Sequence, residues 1–239
     1  MRSMNNGMQP PALRMEHLTF CWPGMASPVL DVDDLSLERG TSLFLHGPSG
    51  CGKSTLLSAI AGVVDIPHGA VTVAGTDIAT LRGGARDRFR GDHMGVIFQV
   101  FNLLPWLSAL DNVLLPCRYS TRRAERAGPD PARTAQRLLA ELGLDDAAIA
   151  GTQAQTLSVG QQQRVAAVRA LIGTPEMILA DEPTSALDDD AKTAFVDLLR
   201  RECAAAGSAL LFVSHDRSLE GHFDRALRFD ELNRSRLSA

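Results

Sequence analysis

The 239-residue chain predicts an α/β fold: buried parallel strands around a phosphate-binding loop, with an α-helical lobe inserted into the sheet domain. Three observations predict it. First, Gly47-Pro48-Ser49-Gly50-Cys51-Gly52-Lys53-Ser54-Thr55 fits G-x-x-x-x-G-K-[ST]. It stands between an apolar run, Leu43-Phe44-Leu45, and a helix-like run from Leu56 to Ala61. Second, three more short apolar runs end in polar residues: Met94 to Gln99, Met177 to Glu182 and Leu210 to Asp216. Third, residues from about 101 to 168 lose strand character and read as helices.

Composition bounds the rest. Apolar residues are 45 % and charged residues 22 %, ordinary for a globular chain. A net charge of −4 gives nucleic acid no global attraction. No apolar run reaches the ~18 residues of a membrane span. Residues 1–11 are polar, lack the apolar centre of a signal peptide, and read as a disordered lead-in to a cytosolic protein. Cys21, Cys51, Cys117 and Cys203 form no C-x-x-C pair, which argues against zinc and against a disulfide framework.

In chain order, Leu13 to Phe20 alternates apolar and polar residues and predicts a strand; Val29 to Leu37 resumes it after the turn at Trp22-Pro23-Gly24. Trp22 stands where an aromatic could stack on a nucleotide base, and an exposed turn tryptophan is the equal alternative. In the loop itself, glycines let backbone N–H groups face an anion at a helix start. Lys53 can reach phosphates, and the Ser54 hydroxyl can ligate Mg²⁺. Cys51 is either a redox-sensitive thiol beside a helix start and Lys53 or simply a small residue that fits.

Ala70 to Asp77 predicts a strand and turn antiparallel to the first strand. Leu81 to Arg90 reads as a solvated, partly helical connector. Gln99 ends its strand where open parallel sheets carry site residues, so its amide can ligate Mg²⁺ or position a water. Short helices are predicted over Ser108 to Leu115 and Ala132 to Leu142. Between them Arg118, Arg122, Arg123 and Arg126 form either a partner surface or a solvated helix face. Ser158 and Gly160 open a further helix, a second anion-binding geometry far from the first. Asp181 and Glu182 are two carboxylates at the end of an apolar strand, costly unless a cation or donors satisfy them. Asp181 suits Mg²⁺ and Glu182 a general base. A helix is predicted over Asp189 to Ala205, and His215 follows the last apolar run at the same sheet edge.

The ordered set of the loop at 47–55, Gln99, LSVGQQQR at 157–164, ILADEP at 178–183, SALD at 185–188 and SHD at 214–216 resembles the ATP-binding subunit of an ABC transporter. The match covers about residues 12 to 220. The signature and FQVFNLLPWLSALDNV at 98–113 are similar to the LolD/MacB group, which serves lipoprotein release and mechanically coupled efflux. The resemblance implies a P-loop NTPase (RecA-like) core with mixed sheet, an antiparallel β subdomain and an inserted α-helical subdomain, spanning 12–229, with a tail at 230–239. It implies ATP and Mg²⁺ as cofactors, with Trp22 on adenine, Lys53 and the backbone of 47–54 on phosphates, and Ser54, Gln99 and Asp181 at the metal. Glu182 is then the base and His215 the γ-phosphate switch, while Ser158 and Gly160 touch the γ-phosphate bound by a second subunit. Val159 departs from the family, which usually has Gly there. The implied partners are a separate membrane permease at the inner face of the membrane and a second copy of the chain, with no nucleic acid. A soluble ABC ATPase acting on DNA or ribosomes is the alternative; the long coiled-coil insertion or doubled domain of such proteins is not seen. A nucleotide-binding module without turnover is disfavoured by Glu182 and His215.

Overall fold

The computed structural model describes residues 10–145, 147–185 and 187–235. Most of the predicted lead-in and the last four residues lie outside that range. In chain order the described elements begin with β1 (Leu13–Phe20), β2 (Leu30–Leu37), β3 (Ser42–His46), α1 (Lys53–Ile60), β4 (Val71–Val73) and β5 (Thr76–Asp77). Next come α2 (Gly84–His93), β6 (Met94–Ile97), α3 (Ala109–Tyr119), α4 (Thr121–Ala127), α5 (Pro131–Glu141), α6 (Ala147–Gly151) and α7 (Val159–Leu171). β7 (Met177–Asp181), α8 (Asp189–Ala206), β8 (Ala209–Ser214), β9 (Arg225–Arg228) and α9 (Phe229–Leu232) complete them.

The expected mixture of strand directions separates into two sheets. One is antiparallel in the order β2-β1-β4-β5, with Leu13 opposite Leu37 and Val73. The other is parallel in the order β6-β7-β8-β3-β9. Its central strands are buried on both faces, so they are near-continuous apolar runs rather than alternating ones. The period of two survives in where the side chains go. Leu43, Leu45, Leu179 and Leu211 pack toward α1 and the antiparallel sheet, whereas Phe44, Ile178, Leu210 and Phe212 pack toward α7, α8 and the helical lobe.

Three boundaries differ from the sequence reading. α3 runs on through Pro116 to Tyr119, and the connector after Leu81 is helical to His93. β9, an edge strand too short and polar to announce itself, pairs with β3. In the tail beyond Phe229, Asn233 is buried, accepts from the Asp31 N–H at 2.7 Å and donates to the Val29 carbonyl at 2.9 Å.

The arginine cluster is neither a solvated face nor a partner surface at its centre. Arg123 is 1 % exposed. Its guanidinium donates to the carbonyls of Met94, Ala170 and Ile172 and so fastens α4 to the start of β6 and the end of α7. Burial pulls its pKa down to about 10, still charged at neutral pH. Close approach requires Gly173: at φ +69 its added Cβ would lie 2.4 Å from the Arg123 carbonyl oxygen. Beside it the 3 %-exposed Glu176 side chain accepts from Arg122 at 2.6 Å and Arg126 at 2.7 Å, and lies 3.0 Å from His93 Nδ1. Burial pushes the Glu176 carboxyl up, but the hydrogen bonds from His93, Arg122 and Arg126 together outweigh it and hold the group well below the carboxylate range.

Two outcomes follow from this bolt. Arg123→Met strands three carbonyls and should cost about 3 kcal/mol or more, lowering Tm in a calorimetric scan by roughly 6–12 °C. Because the folded-state pKa of Glu176 is depressed, its contribution is complete above the unfolded value of about 4.3 and is lost progressively as pH falls from there through the depressed folded value. Glu176→Gln should therefore be less stable at neutral pH by about 1–3 kcal/mol and lose stability less steeply than wild type in urea titrations carried out below about pH 4.3.

Candidate functional site

β3 ends at His46, and the chain turns through 47–52 into α1. Gly52, the N-cap, has φ 110, which a side chain would resist. No side chain caps the helix and no acid stands in its first turn, so the leading N–H groups face outward as an anion site. The Lys53 side chain is buried, and its ammonium donates to the Gly47 carbonyl at 2.6 Å and the Pro48 carbonyl at 2.7 Å. The loop thus holds its own cation at its mouth.

A cleft of about 450 Å³ opens there. It is lined by Trp22, Ser49, Gly50, Gly52, Lys53, Ser54, Thr55, Gln99, Asp181 and Glu182 of the sequence-predicted set. Met25 and Val29 line it as well; nothing in their local pattern marked them. Trp22 is 40 % exposed and stands edge-on to the buried Phe20 at 5.0 Å, leaving a ring face open to the cleft. Gln99 projects from the end of the β6 run. The chain beyond it is tied down by Arg169, which donates to the Phe101 and Asn102 carbonyls at 2.7 Å, and by the buried Asn112, which brackets Leu104.

Asp181 and Glu182 end β7. The Ser54 hydroxyl donates to Asp181 Oδ2 at 2.9 Å, joining α1 to the acid strand. Burial raises the Asp181 carboxyl above its ordinary range, the Ser54 bond opposing and the Glu182 charge adding to the rise. A hydroxyl, a carboxylate and an amide oxygen at one mouth form the hard-oxygen donor set that Mg²⁺ takes, and a half-buried carboxylate is what such a cation relieves. Among the described residues no cluster of three or more His, Cys, Asp or Glu could hold a metal by itself.

Glu182 adopts φ 47, a left-handed conformation secured by its N–H bond to the Val213 carbonyl at 2.9 Å. Its carboxylate lies 2.9 Å from His215 Nδ1 and accepts from the Ser214 hydroxyl at 3.2 Å. A carboxylate only accepts, so Nδ1 carries a proton here and Nε2 is left facing outward. Ser214 was not singled out in the sequence, although it stands in the SHD run with His215.

Other predicted site residues fall elsewhere. Gly47, Pro48 and Cys51 line a separate cavity of about 570 Å³ behind the loop, beside Arg228 and Phe229. The Cys51 thiol faces that cavity and lies 3.9 Å from the Lys53 ammonium. Ser158 and Gly160 do not line the cleft. Ser158 caps α7 in a capping box with Gln161, and the exposed side chain of Val159 stands free of both.

A phosphate loop, an oxygen donor set and a paired acid held by a histidine, all at the carboxyl edge of one parallel sheet, define a phosphate-loop nucleoside triphosphatase. Residues 30–185 match the family model described as ABC transporter, and the chain belongs to that family. It is an ATP-hydrolysing subunit using ATP with Mg²⁺. It is 44 % identical over 202 residues to the lipoprotein-releasing system ATP-binding protein LolD of Anaeromyxobacter dehalogenans, covering 84 % of this chain and 82 % of that one. It is 38 % identical to the macrolide export ATP-binding/permease protein MacB of Burkholderia pseudomallei over 94 % of this chain, but spans only 34 % of that protein. The dimeric structure of the bacterial ABC transporter cassette MJ0796 superposes with a TM-score of 0.79 at 32 % identity, over 90 % of this chain and 93 % of that one.

Asp181→Asn keeps the shape and the Ser54 partner but removes the charge. The Mg²⁺-dependent gain in affinity for a non-hydrolysable ATP analogue should shrink about ten- to a hundred-fold, while affinity measured with a chelator stays close to wild type. Since burial raises the Asp181 pKa, that gain in wild type should begin to fall at a higher pH than for an ordinary aspartate. Calorimetric titrations with and without Mg²⁺ across pH check both.

Proposed function

We propose that this chain is the ATPase subunit of a transporter, closing as a head-to-tail dimer on two ATP to drive a separate membrane permease in lipoprotein release or efflux. The observation that carries the chemistry is the Ser54–Asp181 hydrogen bond with Glu182 adjoining it in the same cleft. Bound Mg²⁺ supplies charge neutralisation to the β- and γ-phosphates. Ser54, Asp181 and Gln99 would hold it.

The chain's own residues divide the remaining work. Trp22 stacks on the adenine, Lys53 and the N–H groups of 47–54 grip the phosphates, and Glu182 takes the proton of the attacking water. His215 Nδ1 orients that carboxylate, leaving Nε2 to meet the γ-phosphate. The loop cannot receive Ser158 and Gly160 of its own chain in this arrangement, which favours their use on a partner's nucleotide. The relatives named for lipoprotein release and macrolide export, and the dimeric cassette, support this reading.

No helix among the described residues is long and apolar enough to cross a membrane, in keeping with a permease partner and a site at the inner membrane face. Phe98, Val100 and Trp106 are exposed where the helical lobe meets the sheet, and they suit a helix from that partner.

Glu182→Gln keeps size and hydrogen bonding but cannot take a proton. It should lower kcat by about 10²–10⁴. It should elute as a monomer without nucleotide and as a dimer with ATP in size-exclusion chromatography, and adding Ser158→Arg should abolish that dimer while ATP still binds. Wild-type turnover in Glu182→Gln would remove Glu182 as the base, and an elution volume indifferent to ATP would remove the self-closing dimer.

A further inference from the structure

The stretch that carries Trp22 to the cleft has no packing to hold it. Residues 21–27 are exposed at every position. Val29, beside them in the cleft lining, differs. It is buried, its N–H donates to the Phe20 carbonyl at 2.8 Å, and its own carbonyl accepts from Asn233. Trp22 and Met25 line the same cleft from the exposed stretch, so something other than burial fixes them there.

The local sequence supplies part of the shape. Trp22-Pro23-Gly24-Met25 has proline where a type II turn wants a fixed φ and glycine where it wants a positive one. Gly24 has φ 84, and the Met25 N–H donates to the Trp22 carbonyl at 3.1 Å. The turn brings its first and last side chains, Trp22 and Met25, to one cleft. The rest comes from Cys21. Its Sγ lies 3.6 Å from the Trp22 carbonyl oxygen and 3.2 Å from those of Met25 and Ser27. Main-chain oxygens from both ends of the exposed stretch thus converge on one sulfur. A thiol has one proton, so it donates to one of these carbonyls at a time and touches the others. Among the described residues no other side chain bonds to the main chain of 22–27.

We propose that Cys21 is a positioning residue for nucleotide recognition: its thiol gathers the Trp22, Met25 and Ser27 carbonyls inward and so sets the Trp22 and Met25 side chains against the cleft before nucleotide arrives. Without the thiol these exposed carbonyls turn to water, and the fold loses little. What is lost is a wall already in place, whose ordering then falls on the binding step. The phosphate end of the cleft is built on α1 and β7 and joined by the Ser54–Asp181 bond, so it does not depend on this stretch. The effect of Cys21 falls on the base end alone. This rests on the reading that Trp22 stacks on adenine, and adds to it what holds the ring there.

The test is the dissociation constant of ATP and of inorganic tripolyphosphate, each with Mg²⁺, measured by calorimetric titration of the full chain carrying Cys21→Ala, Cys21→Val or Cys21→Ser. Tripolyphosphate offers the phosphates without the base. Cys21→Ala and Cys21→Val should weaken ATP about two- to tenfold, the scale of one aromatic contact. Their tripolyphosphate affinity, and their kcat at saturating ATP, should stay at the wild-type level. Cys21→Ser keeps a hydroxyl donor and should lie closer to wild type than either. Unchanged ATP affinity in the alanine and valine variants overturns the inference. So does an equal loss for both ligands, a lowered kcat at saturating ATP, or a serine variant no better than the valine one. Trp22→Ala, titrated alongside, separates the two ideas. If it loses ATP affinity selectively while the Cys21 variants do not, only the role of Cys21 fails. If the Cys21 variants lose it selectively while Trp22→Ala does not, stacking on Trp22 fails and Cys21 acts through Met25. If none of them loses it, both ideas fail.

Discussion

The register of the parallel sheet sets every distance in the cleft. β8 lies between β3 and β7, and Val213 pairs with Leu45 on one side and Asp181 on the other. The loop strand and the acid strand are therefore level but one strand apart. The first turn of α1 has to cross that gap, and the Ser54–Asp181 bond at 2.9 Å is the crossing. A one-residue slip of any of these strands would turn Asp181 or Val213 to the opposite face of the sheet. Continuous burial on both faces is what forbids such a slip, so the apolar core and the polar site are two results of one constraint.

The site holds its groups in states that water would not choose. Asp181 is desolvated beside a second acid, Lys53 is folded onto its own loop, and Glu182 occupies a backbone region that non-glycine residues avoid. Each is held by something placed elsewhere in the chain: Ser54 for Asp181, the Gly47 and Pro48 carbonyls for Lys53, the Val213 carbonyl for Glu182. Such groups are ready for phosphate, cation and water without rearranging their immediate supports, which is how preorganised electrostatics lowers a barrier.

What the sequence made legible were features whose meaning is local. A phosphate loop is nine consecutive residues, and buried strands show as short apolar runs ending in the polar residues of the site. Pairings distant in sequence were not legible. Arg123 read as one of several arginines on a partner surface or a solvated helix face, because its carbonyl partners stand 29 to 49 positions away. β9 is four residues of mostly polar composition that become a strand only beside β3. The Cys51 side chain could be placed in the loop but not assigned a side, since that depends on Phe229 behind it. Cys21 was one of four scattered cysteines until three carbonyls closed around it. Trp22, by contrast, was open to two meanings, a base-stacking aromatic or an exposed turn residue, and it is both exposed and part of the cleft lining.

Arg123 also turns the helical lobe into a lever. It clamps the final turn of α7 and the start of α4 to the amino-terminal edge of the sheet, whereas Ser158 stands at the far end of the same helix, near the opposite edge. With the clamp as fulcrum, the arm is the length of α7, about 20 Å at 1.5 Å per residue. A tilt of about 10° would then sweep Ser158 through roughly 3 Å on that arm, while the clamped end hardly stirs. Small angular play at such a fulcrum would thus become travel the size of a hydrogen bond at the tip.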